Sequence, residues 1–257
     1  MKINKKKFLY LISPNKIYET FYRDLTDVLK SKKISFFQLR LKKDNHKNKI
    51  NISKKIKKIC KKHKVKFLIN DDPKLAKKIN ADGCHLGQKD MHIKNARKLL
   101  KNKIIGITCH NSIKLAVKAA NDKADYIAFG AFNATKTKKV KFRANIKIAR
   151  KILGKKIIGI TCHNSINLAK KAIKAKADYI AFGAFNQSKT KKTRYTASIK
   201  ILNKVKKFTK APIVVIGGIN EVNYKNLLLN KANFLAISGY IWKNKKYKPL
   251  QAIEKLK

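Results

Sequence analysis

Short runs of consecutive apolar residues alternate along the chain with longer, lysine-studded stretches in which apolar positions recur every three or four residues. The short runs predict strands at 7–13, 35–41, 66–70, 83–87, 104–110, 125–131, 212–218 and 234–239. Their near-continuous hydrophobicity suits strands covered by helices, as in a parallel sheet. Helical patterns lie between them, for example KIYETFYRDLTDVLKS (16–31) and NKINISKKIKKICKKH (48–63). Alternating strands and helices are the signature of βα units.

A repeat occupies the middle of the chain. Residues 103–139 return at 156–192, an offset of 53, with 30 of 37 positions identical. The similarity extends outward, HIKNARKLL (92–100) matching NIKIARKIL (145–153), so the two copies span 92–144 and 145–197. With one copy set aside, eight strands remain. Eight βα units in a 257-residue chain match the size of a TIM barrel. The fold class expected is therefore α/β, a (β/α)8 TIM barrel in one domain (1–257) carrying an extra duplicated helix-strand-helix-strand segment. Ten staves would need a new tilt and shear, and a wider bore would leave voids. One copy is accordingly expected to complete the barrel and the other to lie outside the wall, as an appendage.

Composition changes this picture in one respect. Lysine plus arginine total 65 against 13 acids, a formal charge of +52. Such a balance suggests a nucleic-acid partner, yet only six of the 65 are arginines, the residue that reads bases and phosphates in bidentate fashion. No stripe of aromatic residues interleaved with arginine is present. The excess fits drift of a solvated surface towards lysine, so no specific nucleic acid is expected. Nor is a membrane, because no segment approaches the roughly 20 apolar residues of a span. The apolar run Phe8 to Ile12 is too short for a signal-peptide core. Cys60, Cys84, Cys109 and Cys162 form no CxxC or zinc spacing and are expected as buried reduced thiols in a cytoplasmic protein.

Polar chemistry gathers just past the strand ends. Strand alternation puts Gln38, Arg40 and Lys42 on one face, two cations and an amide suited to clamping a phosphate. Four of the 13 acids, Asp71, Asp72, Asp82 and Asp90, fall within twenty residues. Asp72 before Pro73 looks like a helix cap and Asp82 like a turn residue. Asp71 and Asp90, on adjacent strand ends, can share one hard cation such as Mg²⁺. Loops at 134–139 and 187–192 combine hydroxyls and lysines. Gly217-Gly218 before Asn220, and Ser238-Gly239, can close backbone amides around a second phosphate. His85, His110 and His163 are as consistent with core or supporting roles as with the barrel mouth.

These residues resemble the thiamine phosphate synthase family. The resemblance rests on QLRLK (38–42), INDD (69–72), ADGCHLGQKDM (81–91), IIGITCHN (104–111), ADYIAFGAF…TKTKK (124–139) and VVIGGIN (214–220), and covers about 8–242. It implies a Mg²⁺-dependent transferase that condenses hydroxymethylpyrimidine diphosphate with thiazole phosphate to thiamine phosphate and pyrophosphate. It further implies that Gln38, Arg40, Lys42 and Asn70 hold the pyrimidine and its diphosphate, that Asp71 and Asp90 hold Mg²⁺, and that Lys138 or its twin Lys191 meets the pyrophosphate. Arg40, Lys42 and Lys138 are the catalytic candidates. Thr135, Thr137, Gly218, Ile237 and Ser238 would hold the thiazole phosphate, and Thr108 stands where the family has a serine. Copy one is favoured as the source of the loop, because it alone keeps the threonine pair. Partners are then small molecules, with a homo-oligomer compatible. The alternatives are a thiazole tautomerase-like barrel, which need not keep the clamp or the carboxylates, and a basic nucleic-acid-binding protein. A third is a barrel disabled by its duplication, although both copies keep their hydrophobic pattern and loop residues.

Overall fold

The computed structural model describes residues 9–41, 44–110, 112–129, 150, 157–185 and 197–256. Ten parallel strands form one closed barrel: β1 (Leu9–Ile12), β2 (Ile34–Leu39), β3 (Lys66–Asn70), β4 (Gly83–Leu86), β5 (Ile104–Thr108), β6 (Tyr126–Phe129), β7 (Ile157–His163), β8 (Tyr179–Phe182), β9 (Ile213–Ile216) and β10 (Phe234–Ile237). Each strand pairs with its sequence neighbours, and β10 closes on β1. Around them run α1 (Phe21–Lys30), α2 (His46–Lys62), α3 (Pro73–Lys78), α4 (Ile93–Leu100), α5 (Ile113–Asn121), α6 (Ile166–Lys174), α7 (Lys200–Lys206), α8 (Tyr224–Leu229), α9 (Gly239–Trp242) and α10 (Pro249–Glu254).

The helices form where the sequence places apolar residues on one side. In α1 the buried set is Phe21, Leu25, Val28 and Leu29, spaced by four, three and one. Each such side chain contributes about 1.5–3 kcal/mol when fully buried. Start signals are local: Asp72 Oδ1 accepts from Leu75 N at 2.9 Å with Pro73 in the first turn, the capping role its sequence suggests.

The α/β barrel and its extra duplicated segment are as the sequence predicts; the position of the extra segment is not. β7 and β8, the strands of copy two, are staves of the wall between β6 and β9. Hydrogen bonding explains why. A parallel strand pair left outside would expose two edges of unpaired amides and carbonyls, whereas insertion pairs both. The pair also arrives with its base already laced. Asp125 Oδ2 accepts from Ile105 N (2.8 Å) and from Arg97 Nη2 (2.6 Å). In copy two, Asp178 Oδ2 accepts from Ile158 N (2.6 Å) and from Arg150 Nη2. Asp82 bonds Phe67 N (2.9 Å) and Asn233 bonds Ile213 N (2.8 Å) in the same way. Thus β3–β4, β5–β6, β7–β8 and β9–β10 are each tied at the start by one side chain.

Burial alternates along the staves. Helix-facing residues such as Leu11, Ile105, Ile127, Ile158 and Ile180 are buried, while bore-facing Tyr10, Phe36, His85, Tyr126, Tyr179 and Val214 retain some accessible surface. The wider bore is filled by aromatic rings lying over glycines. A Cβ at Gly106 would meet the Tyr126 ring at 1.8 Å, and one at Gly159 the Tyr179 ring at 1.9 Å. All four cysteines are buried free thiols, as expected. No described helix is long and apolar enough to cross a membrane.

Candidate active site

The carboxyl ends of β1 to β5 bring the first group of residues together. Gln38 is buried on the bore side of β2, where its Oε1 accepts from the Tyr10 hydroxyl at 2.6 Å. Its Nε2 donates to Oδ1 of Asn70, the last residue of β3. Both amides are therefore fixed in orientation. Arg40 lies one residue beyond β2. Its backbone N–H donates to Ser13 Oγ (2.8 Å), and its guanidinium Nη1 donates to Asn15 Oδ1 (2.9 Å) in the segment after β1. The alternation expected for Gln38 and Arg40 does not survive as a single strand face, because β2 ends at Leu39. Lys42 lies outside the described residues.

Asp71 follows Asn70 with φ 69°, and its backbone N–H donates to the carbonyl of His85 on the adjacent β4 (2.8 Å). Asp90 closes the turn after β4, where Oδ2 accepts from Gly87 N at 2.6 Å. Residues 70 and 85 are register partners, so the two carboxylates follow neighbouring strands. Among the described residues no group of three or more histidines, cysteines or carboxylates forms a metal cage. Two carboxylates with further oxygens from phosphate or water are the donor set a Mg²⁺ ion takes, so Asp71 and Asp90 fit that ion chemically.

His85 projects from β4 into the bore between two hydroxyls, Tyr126 (Nδ1 to Oη, 2.8 Å) and Thr108 (Nε2 to Oγ1, 3.0 Å). Desolvation lowers its pKa to about 4, with the Asp90 charge acting in the opposite direction. The ring is neutral at physiological pH. The carbonyl of Thr108 accepts from Gln88 Nε2 at 2.7 Å, which ties β5 to the turn carrying Asp90.

A second group sits across the mouth, after β9 and β10. Gly217 and Gly218 have φ of 89° and 66°, the left-handed region that a side chain would strain. The Gly218 carbonyl accepts from Asn223 Nδ2 (2.9 Å). Asn220 does not cap α8 as its position suggests. Its Oδ1 accepts from Val222 N and Asn223 N, and the helix begins after Asn223. Ser238 directly precedes α9, and its Oγ reaches the Ser13 carbonyl at 3.5 Å. Ser13 thus touches both groups, through Arg40 on one side and Ser238 on the other. Ile237 faces the helix layer at 3% exposure, so only its backbone is available to a ligand at the mouth. Thr135, Thr137 and Lys138, with their twins Ser188, Thr190 and Lys191, lie outside the described residues.

Tyr10 and Tyr126 were not among the candidates, and His85 was left open between a site and a core role. The available signal was faint: a tyrosine at a bore-facing position whose register partner on the previous strand is glycine.

Comparison with known proteins bears on the chain as a whole. The family model for thiamine monophosphate synthase matches twice, over 9–148 and 141–241, one match through each copy of the repeat. A thiamine-phosphate synthase of Pelagibacter ubique is 59% identical across the whole of both chains, so the likeness spans both copies. One from Erythrobacter litoralis is 30% identical over 95% of this chain and 92% of its own. Among solved structures, a thiamine phosphate pyrophosphorylase from Pyrococcus furiosus matches with TM-score 0.56 and 20% identity, covering 98% of this chain and 94% of that one, which speaks for the fold. With the family's sequence pattern running through both copies, and its barrel beneath them, this chain belongs to the thiamine monophosphate synthase family.

Proposed function

We infer that the protein is a transferase that joins hydroxymethylpyrimidine diphosphate to thiazole phosphate, giving thiamine phosphate and pyrophosphate. One observation carries this beyond family membership: an amide pair of fixed direction, Gln38–Asn70, stands beside two carboxylates on neighbouring strand ends. The first would orient a ring, and the second would hold Mg²⁺, which supplies positive charge to a diphosphate.

In the reaction, the bond between the pyrimidine methylene carbon and the diphosphate oxygen breaks, and the thiazole nitrogen forms the new bond to that carbon. Gln38 and Asn70 orient the pyrimidine. Arg40, Lys42 and Lys138 neutralise the negative charge that grows on the departing pyrophosphate. Asp71 and Asp90 would hold Mg²⁺, which supplies further charge neutralisation on the diphosphate. Thr135, Thr137, Gly218, the backbone at Ile237 and Ser238 anchor the thiazole phosphate, keeping its ring nitrogen close to the carbon it attacks. That nitrogen attacks with its own lone pair, so no general base is required. This agrees with a His85 whose ring nitrogens both face other protein groups. The chain works as one domain, 1–257, in the cytoplasm, on small-molecule substrates. A tautomerase reading has no use for the paired carboxylates Asp71 and Asp90, which follow neighbouring strands.

The test is thiamine phosphate formation by the purified protein given both substrates, first with Mg²⁺ and then with chelator. Product that disappears with chelator and returns on adding Mg²⁺ is expected. Absence of product from folded, Mg²⁺-supplied protein would refute the assignment.

A further inference from the structure

The bore is filled differently beside the two copies. In copy one, His85 occupies the space between two hydroxyls, Tyr126 at 2.8 Å and Thr108 at 3.0 Å. Its ring also stacks on that of Tyr126, with centroids 5.6 Å apart. The register that builds this arrangement recurs in copy two. His85 pairs with Gly106 and Gly106 with Tyr126; Ala128 pairs with Gly159 and Gly159 with Tyr179. Ala128 therefore stands where His85 does, and a methyl replaces an imidazole between Thr161 and Tyr179.

The vacated space is not taken up by other side chains. Ala128, Thr161 and Tyr179 point into the bore, since their chain neighbours Ile127, Ile160 and Ile180 are buried against the helices, yet all three retain accessible surface. Among the described residues, neither the Thr161 nor the Tyr179 hydroxyl has a hydrogen-bond partner, and neither oxygen is fully buried. The room lies beside the Tyr179 ring and not beneath it, where a Cβ at Gly159 would meet the ring at 1.9 Å. Burial, with the Asp178 charge adding to it, raises the Tyr179 pKa to about 12, so both hydroxyls keep their protons at physiological pH.

We propose that Ala128, Thr161 and Tyr179 form a ligand site for a neutral five-membered ring with nitrogens at positions 1 and 3, the imidazole class. Each hydroxyl can donate one bond and accept others, so one meets the ring N–H and the other its lone-pair nitrogen. Nitrogens on adjacent ring positions cannot span the two. Water fills a polar space of this kind until a ligand displaces it. The site shares no residue with the reaction assigned above and does not depend on it.

Calorimetry and ¹⁵N spectra of labelled imidazole, added to the intact protein at about pH 8.5 where that ring is neutral, test the site. Binding at about millimolar concentration is expected, with pyrazole, whose nitrogens are adjacent, at least about tenfold weaker. Ala128→His supplies the missing ring from the chain itself. This variant should lose imidazole binding and melt no lower than the parent protein. No imidazole binding to the parent, equal binding of pyrazole, or undiminished binding to Ala128→His would overturn the proposal. So would an Ala128→His protein that fails to fold or melts about 5 °C lower or more, the mark of a ring forced into a space already filled.

Discussion

The two copies of the repeat share 30 of 37 positions over 103–139 and 156–192 and differ in what stands beside them. In copy one, β5 follows β4, so Thr108 and Tyr126 meet His85. In copy two, β7 follows β6, and Thr161 and Tyr179 face a bore wall where Ala128 takes the imidazole's place. Among the described residues, the buried Nε2 of His163, the twin of His110, has no hydrogen-bond partner, a cost that copy two bears. The wall takes in the strands of both copies, and only copy one stands beside His85. Identical residues therefore do not carry a site; their neighbours do.

The largest test of that contrast concerns the lysine loops. Lys138→Ala is expected to lower kcat/KM by about 10²-fold or more, the usual cost of removing a donor that stabilises developing charge, with Lys191→Ala nearly silent. Equal losses measured by initial rates would show that the loop of copy two also serves.

A pH titration next tests His85, the β4 residue that copy one alone meets. The His85 pKa, lowered to about 4, lies below its unfolded value near 6.5, so the unfolded chain binds more protons in this window. Stability from the neutral ring is complete above pH 6.5 and is lost as pH falls towards 4, roughly 3 kcal/mol in all. Thermal melts between pH 7 and 4.5 should show a shallower decline in His85→Asn than in the parent protein.

Packing should fail equally in both copies. Gly106→Ala and Gly159→Ala each force a methyl into a tyrosine ring, and each should cost about 2 kcal/mol in urea unfolding. A much smaller loss for Gly159→Ala would mean that copy two is loosely held.

The smallest expected effect is the sharpest. Removing residues 92–144 would place copy two directly after β4, so Tyr179 would meet His85. In that background Tyr179→Phe, which would remove a hydroxyl placed beside His85, should raise the pyrimidine KM more than it does in the full chain, by up to about tenfold. If kinetics show it still silent, position next to His85 is not what distinguishes the copies.

Much of this was legible in the sequence. The eight apolar runs all became strands, β3 at the predicted boundaries, since covered strands are written as short continuous apolar blocks. Gln38, Asn70, Asp71 and Asp90 could be found because polar residues directly after such blocks stand out. The tenth stave could not, because packing density argued against a wide bore and the tyrosine-over-glycine filling depends on register between strands twenty residues apart. Tyr126 was hidden for the same reason. A tyrosine in an apolar run reads as core until its hydroxyl partners, 41 residues away at His85, are placed.

The side chains that lace the start of each strand pair, Asp82, Asp125, Asp178 and Asn233, have a consequence for how such a protein can change in size. Every lace runs from an even-numbered stave to the odd one before it. A single strand added within a laced pair would strip that lace of its partner. An added pair brings its own fastening and leaves all others intact. Parity is thus built into the base of this wall, and lineages that lengthen it by duplication are constrained to step in twos.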